Sequence, residues 1–279
     1  MSCDVYQVVT YRNISASALL NGQMPSPPTI TVASYNMRKA IGTDRRRNPD
    51  RVLAVLKEID ADVVALQEAD KRMGGRGSAM PHELIDGHGM YQPVVFGMRH
   101  NRMLEKIPGG LHAERLMKLD TRNIGWHGNA LLVKAHVGVI DVHAIELPTL
   151  EPRGAILAEL LVADRPIRVV GMHLDLSGLW RRRQMQAILL AIDKRPQKMP
   201  TVLMGDTNEW RDEAGCLKDL GGNYRIAPTG PSFQSRRPIA ALDRIIVDHE
   251  LGIEAAGVHA SPASRKASDH LPIWARLAF

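Results

Sequence analysis

Thr201-Val202-Leu203-Met204-Gly205-Asp206-Thr207-Asn208-Glu209-Trp210 is the stretch whose reading decides the fold. A short apolar run, Thr201 to Met204, stops at Gly205 and is followed at once by Asp206 and Asn208. An apolar run of that length bounded by glycine suits a buried strand. Asp206 then stands at the strand's end, with Asn208 two positions on and on the same side of an extended backbone. A carboxylate beside a carboxamide at a strand end can activate a water and hold a phosphate oxygen. The same pair equally suits a turn, because Asp and Asn hydrogen-bond their own backbone after strands.

Working outward, comparable runs recur. Strands are expected at Thr29 to Tyr35, Val63 to Gln67, Ala130 to Lys134, Ala155 to Leu161, Ile167 to Met172, Asp243 to Val247 and Ile273 to Phe279. A helix is expected from Pro49 to Ile59, capped by Asn48, with Val52, Val55, Leu56 and Ile59 on one face. Another follows Ser177, with Leu179, Ile188, Leu189 and Ile192 as its inner face. Arg181, Arg182 and Arg183 begin it, where cations oppose the helix dipole; a nearby anion or a solvated face would account for them. Several strands lie too close together for helical crossovers, so two packed sheets or one mixed sheet with outer helices fits better than a parallel sheet. The segment Lys71 to Trp126 is expected to carry long loops. Residues 1–28 end in Pro25-Ser26-Pro27-Pro28 and read as a flexible extension ahead of one domain, 29–279.

Composition narrows the classes. With 44% apolar and 24% charged residues in 279, the chain is an ordinary globular protein. Its two cysteines, Cys3 and Cys216, form neither a metal-ligand spacing nor a disulfide framework, which fits a reducing cytosol. No apolar run approaches the ~18 residues of a membrane span, and no signal-peptide pattern opens the chain. A soluble, cytoplasmic monomer is expected. The net charge of +6 favours an anionic partner such as nucleic acid, a phospholipid headgroup or a phosphorylated metabolite, or is merely a soluble surface.

Polar residues mark the strand boundaries. Asn36, Glu68 and His173 end strands, as Asp206 does, whereas Asp243 and Asp269-His270 precede them. If the latter strands run antiparallel to the former, all these side chains gather at one sheet edge. Carboxylates and carboxamides without cysteine suit a hard divalent cation such as Mg²⁺, which would polarise a phosphoryl oxygen. Neither a Ser-His nucleophile motif nor a Gly-Lys-Ser/Thr phosphate loop is present. Singly, each residue has a plainer reading: Glu68 as a solvated acid, Asn36 and Ser268-Asp269 as turns, His173 as a core histidine, and Asp243 as a surface acid.

Together the blocks Ser34-Tyr35-Asn36, Ala65-Leu66-Gln67-Glu68, Gly171-Met172-His173-Leu174, Gly205-Asp206-Thr207-Asn208, Leu242-Asp243 and Ser268-Asp269-His270-Leu271-Pro272 resemble the endonuclease/exonuclease/phosphatase superfamily, in its order. Ile41-Gly42-Thr43-Asp44, Gly128-Asn129-Ala130 and Leu150-Glu151-Pro152-Arg153-Gly154 look like its bacterial metal-dependent hydrolase branch. The resemblance implies a deoxyribonuclease I-like four-layer α/β sandwich, with two mixed sheets flanked by helices, and Mg²⁺-dependent phosphoester hydrolysis, Mn²⁺ being a substitute. Carried over, Glu68 is the principal metal ligand, assisted by Asn36 and Asp269. Asp206 orients or deprotonates the attacking water, and Asn208 binds the scissile phosphate. His270, aligned by Asp243, stabilises the pentacovalent phosphorane or acts as acid-base partner, and His173 contacts the phosphate. Asn129 and Arg153 are implied substrate contacts. Arg38 departs from the pattern, standing where related bacterial chains often carry His; an arginine there binds a substrate phosphate or faces solvent.

The activity expected is therefore that of a nuclease, phosphodiesterase or phosphatase. Basic charge points to nucleic acid, and apolar loops such as Leu147 to Leu150 point to phospholipid or a related small phosphodiester. The alternative is a non-catalytic anion-binding or interaction protein on the same fold.

Overall fold

Two strand–helix–strand units organise the chain. The structure is a computed structural model that describes residues 27–69, 78–94, 125–148, 154–211 and 215–279. The first unit is β1 (Thr29–Asn36), α1 (Pro49–Ile59) and β2 (Val63–Gln67); the second is β8 (Arg165–His173), α3 (Gly178–Asp193) and β9 (Thr201–Asp206). In each unit the two strands pair in parallel, which the intervening helix makes feasible. α1 forms where the sequence indicates. Asn48 accepts from the Arg51 backbone N–H at 3.2 Å, Pro49 occupies the first turn, and Asp60 ends the helix in the left-handed conformation.

Each unit nucleates a sheet. Between the units come α2 (His82–His88), β3 (Gln92–Pro93), β4 (Gly125–Trp126), β5 (Asn129–Val133), β6 (Gly138–Glu146) and β7 (Gly154–Val162). After the second come β10 (Tyr224–Ile226), β11 (Asp243–Asp248), β12 (Gly252–Val258), α4 (Pro262–Ala267) and β13 (Ile273–Ala278). One sheet has the order β12-β13-β1-β2-β5-β3, with β4 also on β5; the other has β10-β11-β9-β8-β7-β6. All described pairings other than β1–β2 and β8–β9 are antiparallel.

The layers follow from strand periodicity. Ile30, Val32, Val63, Ala65 and Leu131 of one sheet meet Ile156, Val169, Val202, Met204 and Ile245 of the other in a shared core. The alternate residues Ala33, Tyr35, Val64 and Leu66 pack on α1. Val170, Met172, Leu203 and Ile246 pack on Met185, Ile188 and Ile192 of α3. The result is the expected four-layer sandwich. Truncating a central side chain such as Leu131 to Ala would cost about 2–5 kcal/mol.

The differences from expectation are local. β6 and β12 escape the sequence reading because both are edge strands without a continuous apolar run, β6 largely exposed and β12 part-buried. α3 keeps most of its expected face, with Ile188, Leu189 and Ile192 packed inward, and departs from it in the first turn. Leu179 is exposed, while Arg181 and Gln184 are buried beside Met185, Ile188 and Ile192. Arg181 reaches Glu209 at 3.2 Å and so has its anion within the fold. Arg182 pairs with Asp219 at 3.1 Å, and Arg183 lies over the Trp180 ring. Leu147, the first residue of the apolar stretch Leu147 to Leu150, is buried against the α3 layer. α2 and β3 fall inside Lys71 to Trp126, read as long loops; most of that segment, with residues 1–26, Leu150 and Arg153, lies outside the described residues. Among the described residues, no helix is long and apolar enough to cross a membrane.

Candidate active site

The periodicity that buries the inter-sheet core also fills its edge with polar groups. On β1 the inward positions Ile30 and Val32 continue to Asn36; on β9, Val202 and Met204 continue to Asp206. On β8, Ile167 and Val169 lead to His173, while on β5 and β11 Asn129 and Asp243 precede inward residues. β11 runs antiparallel to β9, placing Asp243 opposite Asp206, and β13 runs antiparallel to β1, bringing the preceding Asp269-His270 to the same end. The expected convergence is therefore met.

Gly205 makes the close approach feasible. Its partner in the β8–β9 pair is Met172, and a Cβ at Gly205 would run into the Met172 carbonyl. Thr207 then locks β9 to the Leu242 carbonyl through its backbone N–H, at 2.9 Å, and its hydroxyl, at 2.8 Å.

Asp206 is the centre of the cluster. Its Oδ2 accepts from Asn36 Nδ2 at 3.0 Å, and its Oδ1 from the Asn208 backbone N–H at 3.0 Å. His173 Nε2 and His270 Nε2 stand 3.6 and 3.8 Å from the same Oδ2. His270 Nδ1 lies 2.9 Å from Asp243 Oδ2, which also accepts from the Ser232 hydroxyl. Burial, and then the charge of Asp243, raise the Asp206 pKa to about 6, against the opposing pull of His270 and Asn36. For His270, burial works against the charged ring, yet the charge and hydrogen bond of Asp243, helped by Asp206 and Asp269, raise its pKa to about 9. At neutral pH His270 is a cation backed by a carboxylate.

The remaining candidates form a looser arm. Glu68 sits one residue past β2 in a left-handed conformation, with Lys39 Nζ at 3.5 Å. Asp269 pairs with Arg38 Nε at 3.2 Å, so Arg38 neither stands alone in solvent nor is committed to a ligand. Arg38, Lys39 and Ala40 are all left-handed, at roughly 1–2 kcal/mol each for non-glycine residues. Asn129 donates to the Gly154 carbonyl at 2.7 Å.

A divalent cation fits the chemistry present. Asp243 Oδ1 is a buried oxygen without a hydrogen-bond partner, and carboxylate and carboxamide oxygens are the donors a hard ion prefers. Among the described residues, the grouping compact enough to hold an ion is Asp206, Asp243 and His270, whose ligand atoms lie within 4.8 Å of one another. Glu68, Asn36 and Asp269 lie around it rather than in it. Ser232 and Phe233 were missed by sequence reasoning. The Phe233 ring tilts against His270 with centroids 4.8 Å apart, and nothing in Pro231-Ser232-Phe233 signals the contact. Ser268, quoted only as part of a block, donates to the Asn36 carbonyl at 2.7 Å.

A four-layer sandwich with acids, amides and histidines gathered at one edge of both sheets defines the deoxyribonuclease I-like class. The chain belongs to the endonuclease/exonuclease/phosphatase family, whose sequence model matches residues 33–270. Among curated proteins it is 27% identical over 163 residues to the uncharacterized protein YbhP of Escherichia coli, covering 55% of this chain and 63% of that protein; the match spans less than two thirds of the relative's length. A family protein of solved structure from Bacteroides thetaiotaomicron is 17% identical, with a TM-score of 0.67 over 91% of this chain and 99% of that one. D. rerio TDP2, solved in complex with a single-strand DNA product, is 14% identical with a TM-score of 0.63 over 90% and 99%. At these identities the structural likenesses show the fold.

Proposed function

We propose that this chain is a divalent-cation-dependent phosphoester hydrolase, a phosphodiesterase or phosphatase in which water attacks phosphorus. The observation that carries the reading is the buried Asp206 carboxylate, held by Asn36 and Asn208 beside two imidazole nitrogens, one of them on the Asp243–His270 pair. On the family resemblance, Mg²⁺ or Mn²⁺ would be held by Glu68 with Asn36 and Asp269, beside rather than within the compact Asp206–Asp243–His270 grouping, and would polarise a phosphoryl oxygen and steady the leaving oxygen.

The chain's own residues do the rest. Asp206, with its pKa near 6, is ionised at neutral pH and placed to orient and deprotonate a water. Asp243 holds His270 Nδ1, so protonated Nε2 faces the Asp206 side, where it can donate to charge building on phosphate oxygens. His173 Nε2 supplies a second contact there. Asn208 uses one amide N–H on the Leu174 carbonyl at 2.9 Å; the amide's second N–H serves a phosphate oxygen. Arg38 and Asn129 lie at the same edge for substrate contacts, and Arg153 joins them on the resemblance alone. The substrate is nucleic acid, as the TDP2 complex illustrates for that protein, or a phospholipid or small phosphodiester.

Hydrolysis of bis-p-nitrophenyl phosphate with Mg²⁺ or Mn²⁺, abolished by EDTA, is the expected result. Absence of metal-dependent turnover on that compound and on DNA, RNA and phospholipid substrates would sink the reading. The second reading, a non-catalytic anion-binding protein, draws on the Lys39–Glu68 and Arg38–Asp269 pairs, which set cations on two acids a metal would use. It predicts anion binding without turnover.

A further inference from the structure

Large apolar side chains crowd the mouth of this site. Leu176, on the loop leaving β8 after His173, is 75% exposed, and Leu179, in the first turn of α3, is 60% exposed. Trp210, just beyond Asn208, is 61% exposed, and Ile239 is 68% exposed. Three separate segments carry them, and those segments are fastened together. Asn208 donates to the Leu174 carbonyl, while Arg181 binds both the Leu176 carbonyl and the Glu209 carboxylate. The Trp210 ring meets Phe233 edge-on at 6.3 Å, Phe233 lies on His270, and the Ile239 N–H donates to the Phe233 carbonyl at 2.7 Å.

A single exposed leucine needs no explanation. Four large apolar side chains left in water on neighbouring segments at the site's end of the sheets do need one. The described charges around them are mostly positive. Arg183, Arg211, Arg236 and Arg237 are exposed on or beside the same segments and Arg182 is paired with Asp219, while of the acids there Asp175 is half-buried and Glu209 is buried against Arg181. Apolar tips set among arginines match an anionic bilayer surface, where tryptophan and aliphatic side chains enter the headgroup–acyl boundary and cations meet lipid phosphates. Nucleic acid fits this rim less well. Single strands are held by stacked aromatic platforms, and leucine and isoleucine offer no π-face.

We propose that residues 174–180, 208–211 and 233–240 form a landing surface for an anionic phospholipid bilayer, with Leu176, Leu179, Trp210 and Ile239 entering it and the flanking arginines on its phosphates. This rests on the phosphoester reading of the site and narrows its substrate to a phosphodiester presented at a membrane surface.

The test uses the full chain in EDTA, sedimented with vesicles of phosphatidylcholine alone or mixed with phosphatidylglycerol. Binding is expected to the mixed vesicles and to weaken with salt. The combined variant Leu176→Ser, Leu179→Ser, Ile239→Ser should bind at least about tenfold more weakly, with unchanged circular dichroism and thermal midpoint. Brominated acyl chains should quench tryptophan fluorescence in the wild type and much less in Trp210→Phe. Because metal is chelated, the result is independent of turnover, and bis-p-nitrophenyl phosphate hydrolysis by the same preparation tests the site reading separately. No binding of wild type to the mixed vesicles, or undiminished binding by the folded variant, overturns the proposal. So does binding of single-stranded DNA in place of vesicles, weakened in Trp210→Ala.

Discussion

The two strand–helix–strand units end in equivalent places and finish differently. In the second, the last inward pair of the parallel strands is His173 opposite Asp206, and both are buried. In the first, the equivalent pair is Asn36 opposite Gln67. Gln67 is committed to structure, accepting from the Ser34 hydroxyl at 3.2 Å and donating to the Ala65 carbonyl at 3.3 Å. The acid of that unit, Glu68, is displaced one residue outward, turned left-handed and, among the described residues, met by the part-exposed Lys39. A shift of one residue thus separates a carboxylate fixed by direct hydrogen bonds from one held by a part-exposed ion pair. Buried charge is tuned by its neighbours, whereas exposed charge is screened.

That contrast can be broken experimentally. The largest effects belong to the buried arm: Asp206→Ala, Asn208→Ala and His270→Ala should each lose about 10²-fold or more in kcat/KM on bis-p-nitrophenyl phosphate. Wild-type rates in all three would show the site is elsewhere. Glu68→Gln should instead raise the Mg²⁺ concentration needed for half-maximal activity, and calorimetric titration of metal would read the same loss; a pure kcat defect at saturating metal would erase the distinction between the arms. Gly205→Ala should destabilise the fold by about 1–3 kcal/mol in urea melts, because the added Cβ meets the Met172 carbonyl inside the second unit.

In metal-free protein, pH sharpens the comparison further. The folded His270 pKa near 9 lies above the ordinary histidine value of 6.5, so its contribution to stability is fully present below about 6.5 and lost as pH rises through about 9. Asp206, raised to about 6, has the same sign over a lower window, from about 3.8 to 6. Thermal midpoints of the chelated protein should therefore fall with rising pH across the upper window, which Asp243→Asn should flatten, whereas in the lower window the lowered acids Asp44, Glu58, Asp141 and Glu159 oppose Asp206. The smallest effect is expected at Lys39→Met, where a part-exposed pair worth about 0–1 kcal/mol should alter Mg²⁺ affinity only a few-fold.

Much of this architecture was legible because apolar runs broken by polar residues report a buried strand reaching an edge. The stretch Thr201 to Asn208 did so, as did Val63 to Glu68 and Ile167 to His173. β6 and β12 were not legible, since an edge strand needs no continuous apolar run. Leu179 and Arg181 exchanged expected places because Glu209, on a distant loop, supplies the buried anion that draws Arg181 inward. The Ser232 and Phe233 contributions had no signal at all, since they lie on a turn brought to His270 only by the chain's return.

By itself, the order of residues along the chain determined the strand–helix–strand units and the polar residue at each strand end, because periodicity and capping are local. Tertiary structure alone decided that those ends share one edge, since that requires β11 and β13 to run against β9 and β1. It also decided that Asp206 is buried among histidines while Glu68 stays within reach of water. Burial and through-space charge, which set the pKa values of Asp206 and His270, are properties of neighbours far apart in sequence.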